Sequence, residues 1–317
     1  MCNGESDRKR LHLLIDVARA YYDDGQSQAE ISRRIGYSRP TVSRMLQEAK
    51  DLGLVTIKIS HPLERLERLE EQICAMFQVE KTLVSQHSGP IGPPQLAAEF
   101  VASQTPRDGL IAVSNGSSIS ATVDALPQQH RSNSCVVQML GSLGRSNPLE
   151  DSPEICRRMA AKLGGTYRIL PAPLVLDSPA TAKYLRKDGQ VAAVLELAAR
   201  ADLALVGVGA LVANVPGQIF QGWYPADIDR RIAQQGAVGH ICAHHLDSAG
   251  NHIETPLCKR IIAMDVEKLR TIPQVVAVAW GNEKISALRA ALKGGYVNTF
   301  VTDEATAIAL VQSETGV

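Results

Sequence analysis

Apolar residues recur along this chain in two rhythms, and the change from one to the other divides it. Near the N-terminus the spacing is helical. Leu14, Ile15 and Ala18, with Tyr21 or Tyr22, share one side of a helix over residues 11–22. Ala29, Ile31 and Ile35 give a short second face, and Val42, Met45, Leu46 and Ala49 a third. Ile35-Gly36-Tyr37 supplies a Gly-containing turn between these last two. Ser27-Gln28-Ala29-Glu30 has capping-box spacing: the Ser hydroxyl accepts from the amide three residues on, and the Glu carboxylate accepts from the cap amide. Ser38 caps the next helix, and Pro40 fits its first turn, where no intrahelical donor is lost. Leu52-Gly53-Leu54 stops that helix, and Val55-Thr56-Ile57-Lys58-Ile59 alternates as a strand in the position of a wing. The predicted unit is a winged helix-turn-helix over residues 1–60.

This pattern leaves Arg39, Thr41, Ser43 and Arg44 pointing outward near the start of the third helix. From Ile31 to Gln47 the chain carries Arg33, Arg34, Arg39 and Arg44 and no acidic residue. A helix that offers Arg, Thr and Ser from its first turns suits phosphates and base edges in a major groove. The expected partner is double-stranded operator DNA, contacted by Ser27, Gln28, Ser38, Arg39, Pro40, Thr41, Ser43 and Arg44.

Beyond His61-Pro62 the residues Leu63, Leu66, Leu69, Ile73, Met76 and Phe77 recur at three- and four-residue steps. They predict an amphipathic connecting helix over residues 61–81, packed on the C-terminal domain and making some contact with a second subunit. From Thr82 to the end, residues 82–317, the rhythm changes. Continuous apolar runs (110–113, 135–140, 203–206, 275–279, 297–301) alternate with helical patterns (118–126, 152–163, 284–292, 303–311). That alternation predicts a mainly parallel α/β sheet covered on both faces. Ligands of such sheets sit beyond the carboxyl ends of the strands.

Four loops at strand ends are candidates. Ser114-Asn115-Gly116-Ser117-Ser118 brings Gly116 and the following amides to a helix N-terminus, where Ser117 and Ser118 could join them around a phosphate or hydroxyl oxygen. The same residues also suit ordinary capping of a βα turn. Gly141 and Ser142 follow the second run, and Gly207-Val208-Gly209 the third, without the rest of a dinucleotide fingerprint. Gly281-Asn282-Glu283-Lys284 follows the fourth and sets a cation where the helix dipole disfavours one. Lys284 is either the partner of a bound anion or a solvated surface lysine. Further along, His240, Cys242 and His244 would share one face of an extended strand, a sterically possible zinc set. A fourth ligand would require His252 or Cys258 to fold back past a turn at residues 247–251, so pocket-lining strand residues are expected there and no metal.

Composition adds limits. With 33 basic and 33 acidic residues the 317-residue chain has zero formal net charge, so DNA affinity must come from the local cluster and from dimerisation. Six scattered cysteines suggest reduced thiols, no apolar run approaches a membrane span, and Met1–Arg10 is too polar for a signal peptide. A cytoplasmic protein without a cofactor is expected.

Several of these segments together resemble the SorC family of bacterial sugar-responsive transcriptional regulators, from about Leu11 to Leu310. The likeness is carried by Ser38-Arg39-Pro40-Thr41-Val42-Ser43-Arg44-Met45-Leu46, by residues 202–209, by Gly236-Ala237-Val238-Gly239, by Thr255-Pro256-Leu257 and by Thr302-Asp303-Glu304-Ala305-Thr306. The resemblance implies a Rossmann-like effector domain similar to sugar-phosphate isomerases but used for sensing, and homo-oligomers, dimers or tetramers, on operators of sugar-catabolic genes. It places a phosphate-cradling loop on Gly116, Ser117 and Ser118 and a phosphate-pairing lysine on Lys284. The candidate effector set is therefore Asn115, Gly116, Ser117, Ser118, Gly141, Ser142, Gly207, Gly209, His240 and Lys284. The chain departs from the family pattern with Asn115 in place of an aromatic residue, with Leu140-Gly141-Ser142 in place of Asn-Gly-Gly, and with His240 and His244 in place of Asp and Arg. Two histidines there predict effector binding that changes between about pH 6 and 7. The rival reading, a sugar-phosphate isomerase fused to a DNA-binding domain, needs a carboxylate base near Asp202 or Asp303. No paired acid and base is legible there.

Overall fold

The computed structural model describes residues 3–22, 24–55, 66–89, 91–144, 147–211, 220, 231, 232 and 234–315. The chain divides into two compact units, Met1–Ser60 and His61–Val317.

In the first unit, α1 (Asn3–Tyr22), α2 (Gln28–Ile35) and α3 (Arg39–Asp51) enclose a small core of Val17, Ala20, Ile31, Val42 and Leu46. The supporting helix turns Val17 and Ala20 inward besides Leu14 and Ala18, while Ile15 is only half-buried. The capping box of α2 is complete: Ser27 Oγ accepts from the Glu30 amide at 3.3 Å, and Glu30 Oε2 accepts from the Ser27 amide at 2.7 Å. Ser38 caps α3, accepting from the Thr41 amide. The Leu54 amide reaches back to Ala49 O and the Gly53 amide to Lys50 O, which closes the carbonyl end of α3. An Arg10–Glu48 ion pair ties α1 to α3. The expected wing over residues 55–59 falls, apart from Val55, outside the described residues, as does Leu63 of the connecting helix.

That helix, α4 (Glu67–Phe77), belongs to the second unit, where Ile73 and Phe77 enter the main core. Its buried Glu70 accepts from the Val84 amide at 2.9 Å. The central sheet has seven strands: β1 (Lys81–Ser85), β2 (Leu110–Val113), β3 (Cys135–Gln138), β4 (Thr166–Arg168), β5 (Leu203–Val206), β9 (Gln274–Val278) and β10 (Thr299–Asp303). They lie in the order β1-β10-β9-β5-β2-β3-β4, and every pair is parallel. The helices that cover it are α5 (Gly92–Gln104), α6 (Ser117–Ala125), α7 (Ser152–Leu163), α8 (Pro179–Leu185), α9 (Gly189–Ala198), α10 (Ile285–Lys293) and α11 (Glu304–Thr315). Successive residues of one strand feed opposite cores. Ile111, Val113, Leu203 and Leu205 pack with α5, α6 and α7, whereas Ala112, Ala204 and Val206 pack with α4, α10 and α11. Two-sided burial is why these strands read as unbroken apolar runs.

Chain direction reverses between β2 and β5. From β2 the path runs outward through β3 to β4, then returns beside β2 and continues through β9 to β10. This is the Rossmann arrangement with β1 added at one edge, and the β2–β5 boundary is its topological switch point. A small antiparallel sheet of β6 (Val208–Ala210), β7 (Ala237–Ile241) and β8 (His244–Asp247) follows directly from β5 through Gly207.

Candidate functional site

The switch point holds the first candidate loop. The Ser114 amide donates to Leu205 O at 3.0 Å, and Ser114 Oγ accepts from the Gly207 amide at 3.2 Å, so the ends of β2 and β5 are tied together. Gly116 then adopts φ 113° and ψ 162° at the start of α6, a backbone that disfavours any side chain, and open space lies where a Cβ would be. No side chain caps α6. Ser117 is exposed and Ser118 buried at this N-terminus. The Gly116 amide itself is taken by Glu150 O at 2.9 Å. Asn115 is buried, and its Nδ2 has no hydrogen-bond partner. A buried, unpaired amide donor costs about 1–3 kcal/mol unless something accepts from it.

The third and fourth loops converge on the same edge through β6. Gly209 pairs in register with His240, and a Cβ on Gly209 would lie 2.0 Å from His240 Nε2. Only glycine permits this approach. His240 is buried, stacked edge-on against Phe220, with Nε2 unpartnered. Lys284 ends a 3₁₀ turn (Asn282–Lys284) at the cap position of α10, two strands from β2, which sets their ends about 10 Å apart. Burial lowers the Lys284 ammonium below its ordinary range, and the neighbouring Glu283 carboxylate works against that. Burial first, then the charges of His245 and Lys284, hold His240 down at about 3. His240 is therefore neutral between pH 6 and 7, and the expected two-histidine pH response is corrected for this residue.

The second loop is built differently. Ser142 Oγ donates to Asp151 Oδ2 at 2.5 Å, and the same carboxylate accepts from the Leu143 and Ser152 amides. Gly141 lies against the backbone of Pro173 and Leu174, closer than any Cβ would allow. These two residues brace the β3 end, while Asn115, Gly116, Ser117, Ser118, Gly207, Gly209, His240 and Lys284 gather around β2, β5 and β9.

The extended strand expected through His240, Cys242 and His244 does not form. Cys242 and Ala243 take φ 47° and 66°, the chain reverses, and His240 pairs with His245 across the hairpin. Two successive left-handed residues are what a two-residue hairpin needs. The sequence offers neither Gly nor Asn there, so no turn signal was present. The later turn at residues 247–251 does form, with the Asp247 amide donating to Asn251 O at 3.0 Å. The carboxylates wanted by the enzyme reading are committed elsewhere. Asp202 Oδ2 accepts from the Leu110 amide at the amino end of β2, the far end of the sheet, and Asp303 Oδ1 caps α11 through the Thr306 amide. Residues left out of the candidate effector set are Ser114, which locks the switch point, and Phe220 and His245, which stack on one another beside His240.

On α3 of the first unit, Arg39, Pro40, Ser43 and Arg44 are exposed, and the Thr41 hydroxyl lies 2.8 Å from that of Ser38. Ser27 is exposed and Gln28 half-buried at the start of α2.

Residues 61–312 match the family model described as "Putative sugar-binding domain", and residues 16–62 match the model described as "MarR family". The chain is similar to the deoxyribonucleoside regulator of Bacillus subtilis, 29% identical with 96% of this chain and 99% of that one covered. It is also similar to the transcriptional regulator LsrR of Escherichia coli, 30% identical with 94% and 93% covered. The crystal structure of the full-length sorbitol operon regulator SorC from Klebsiella pneumoniae superposes with a TM-score of 0.74 at 25% identity, covering 95% of this chain and 98% of that one. Among the described residues no helix is long and apolar enough to cross a membrane. With its helix-turn-helix, its Rossmann-like sheet and matches that run almost end to end, the chain belongs to the SorC family of sugar-binding transcriptional regulators.

Proposed function

We propose that this regulator reads operator DNA with the first turns of α3 and senses a sugar or sugar phosphate at the carboxyl edge of β2, β5 and β9. Arg39, Ser43 and Arg44 reach base edges and phosphates, Thr41 and Pro40 fix the helix start, and Ser27, Gln28 and Ser38 meet the DNA backbone near the helix ends. The effector's anionic or hydroxyl oxygens take the open Ser117 and Ser118 amides beside Gly116, with Lys284 as the counter-charge. Asn115 and His240 take the remaining polar groups beside Gly207 and Gly209, and Gly141 and Ser142 shape the neighbouring wall. The observation that carries this reading is the pair of buried, unpartnered atoms, Asn115 Nδ2 and His240 Nε2, flanking an uncapped helix N-terminus at the switch point.

The site works by binding alone. Asp202 sits at the opposite end of the sheet and the Asp303 carboxylate is spent on a helix cap, so neither serves as a proton-abstracting base. Pairs of subunits present two α3 helices one DNA turn apart, about 34 Å, in the cytoplasm. The test is a gel-shift titration of the full chain on promoter fragments from flanking genes, with and without pentose and hexose phosphates. Arg44→Ala is expected to weaken binding about tenfold. Unchanged affinity in that variant, or no preference for any such fragment over random duplex, would overturn the assignment of α3.

A further inference from the structure

We propose that His244, His252 and Cys258 form a binding site for one divalent transition-metal ion of the zinc class, held by His244 Nδ1, His252 Nε2 and Cys258 Sγ. The three ligand atoms lie within 4.8 Å of one another. His244 Nδ1 is 3.4 Å from His252 Nε2, and Cys258 Sγ is 3.7 Å from the same nitrogen. A tetrahedral zinc ion with ordinary Zn–N and Zn–S bonds sets such ligands about 3.3 Å and about 3.5 Å apart. The two separations are near those edges before any ion enters.

Neighbouring groups prepare each ligand. His244 Nε2 stands 2.9 Å from Met264 O. A carbonyl only accepts, so Nε2 carries the hydrogen and Nδ1 turns its lone pair toward the cluster. This is the outer-shell arrangement that fixes metal-binding imidazoles elsewhere. Thr255 Oγ1 lies 3.2 Å from Cys258 Sγ and 3.1 Å from His245 Nδ1, a relay that orients the sulfur. Burial opposes the Cys258 thiolate, and hydrogen bonds with His252 and Thr255 favour it. The bond to Cys258 raises His252. The cation binds a Cys258 thiolate and neutral imidazoles, so protons those ligands carry leave to solvent, and no electron moves.

The backbone explains why these residues meet. The two-residue hairpin at Cys242-Ala243 turns His244 to the start of β8, and the Leu246–His252 bridge folds the following segment back beside it. His252 and Cys258 are only half-buried, which leaves access for the ion and a fourth position for water. His240, the cross-strand partner of His245, is on the same hairpin. A bound ion would pin β8 to the 252–258 segment and hold the hairpin in place.

The test uses the full chain, stripped with chelator and titrated with Co(II), then Zn(II). One equivalent of Co(II) is expected to give thiolate-to-cobalt charge-transfer absorption with tetrahedral ligand-field bands, bleached by one equivalent of Zn(II). Cys258→Ser abolishes the charge-transfer band, and His252→Ala weakens binding by more than the roughly 10–100-fold that losing an outer-shell partner costs. Cys135→Ser, on β3, leaves it unchanged. As a readout free of any variant, one equivalent of Zn(II) slows alkylation of Cys258, mapped by mass spectrometry, and not that of Cys74. Absence of the charge-transfer band in the wild-type chain, its survival in Cys258→Ser, or alkylation of Cys258 untouched by Zn(II) would each overturn the proposal.

Discussion

His240 shows how much one side chain's surroundings decide. Its ring is closed in by Gly209, Phe220 and His245, and Lys284 adds a repelling charge. In the folded chain it stays neutral down to about pH 3, whereas in the unfolded chain it takes up a proton near its ordinary 6.5. Between those values the unfolded state binds more protons, so this residue's contribution to stability is complete above about pH 6.5 and shrinks as pH falls toward 3. His240→Gln removes the titration while keeping a polar side chain. Measured by thermal unfolding at pH 7 and pH 5, the wild-type midpoint should fall further than the variant's. Equal falls would mean that water reaches the ring. Sequence spacing points to His240 as a pocket residue, and the fold packs it against Gly209. What spacing could not give is the protonation state, because that depends on Gly209, Phe220, His245 and Lys284, which are scattered along the sequence.

At the scale of elements, legibility follows how local the cause is. The Ser27–Glu30 capping box, the Ser38 cap, the Gly53 stop and the strands over 110–113 and 203–206 rest on neighbours in sequence, and they stand where the pattern puts them. The final strand appears two residues later than its apolar run, at Thr299–Asp303, because Asn298 bonds sideways to Val275 and Pro273 before the ladder begins. Helix α5, which opens with Gly92-Pro93-Pro94, carried no clear helical rhythm because nearly every residue along it is buried or small. The β7–β8 hairpin was hidden for want of turn residues. Local causes also make local predictions. Ser27→Ala removes the acceptor for the Glu30 amide, at about 1 kcal/mol. Amide hydrogen exchange across α2 should then quicken about fivefold in the intact chain. No change there would mean that water replaces the cap at no cost, and that packing of Ile31 alone holds the helix.

At the scale of the whole molecule, a formally neutral chain gathers Arg33, Arg34, Arg39 and Arg44 on two helices of one unit and holds the unpartnered Asn115 Nδ2 and His240 Nε2 in the other. Neither feature regulates anything until the two are coupled, and coupling has a strict thermodynamic form. An effector that binds DNA-competent and incompetent states equally well shifts nothing, however tightly it binds. If it changes operator affinity by some factor, the operator must change effector affinity by the same factor. Both factors are measurable on this chain: operator Kd with and without saturating sugar phosphate, and sugar-phosphate Kd with and without saturating operator duplex. They should agree, and typical couplings amount to about 5–150-fold. Arg44→Ala should then weaken operator binding while leaving the effector affinity of the free protein unchanged, since that residue lies on the other unit. Tight sugar-phosphate binding with a factor of one in both directions would leave the strand-end pocket a ligand site without a regulatory role, because a ligand indifferent to the two states has no free energy with which to choose between them.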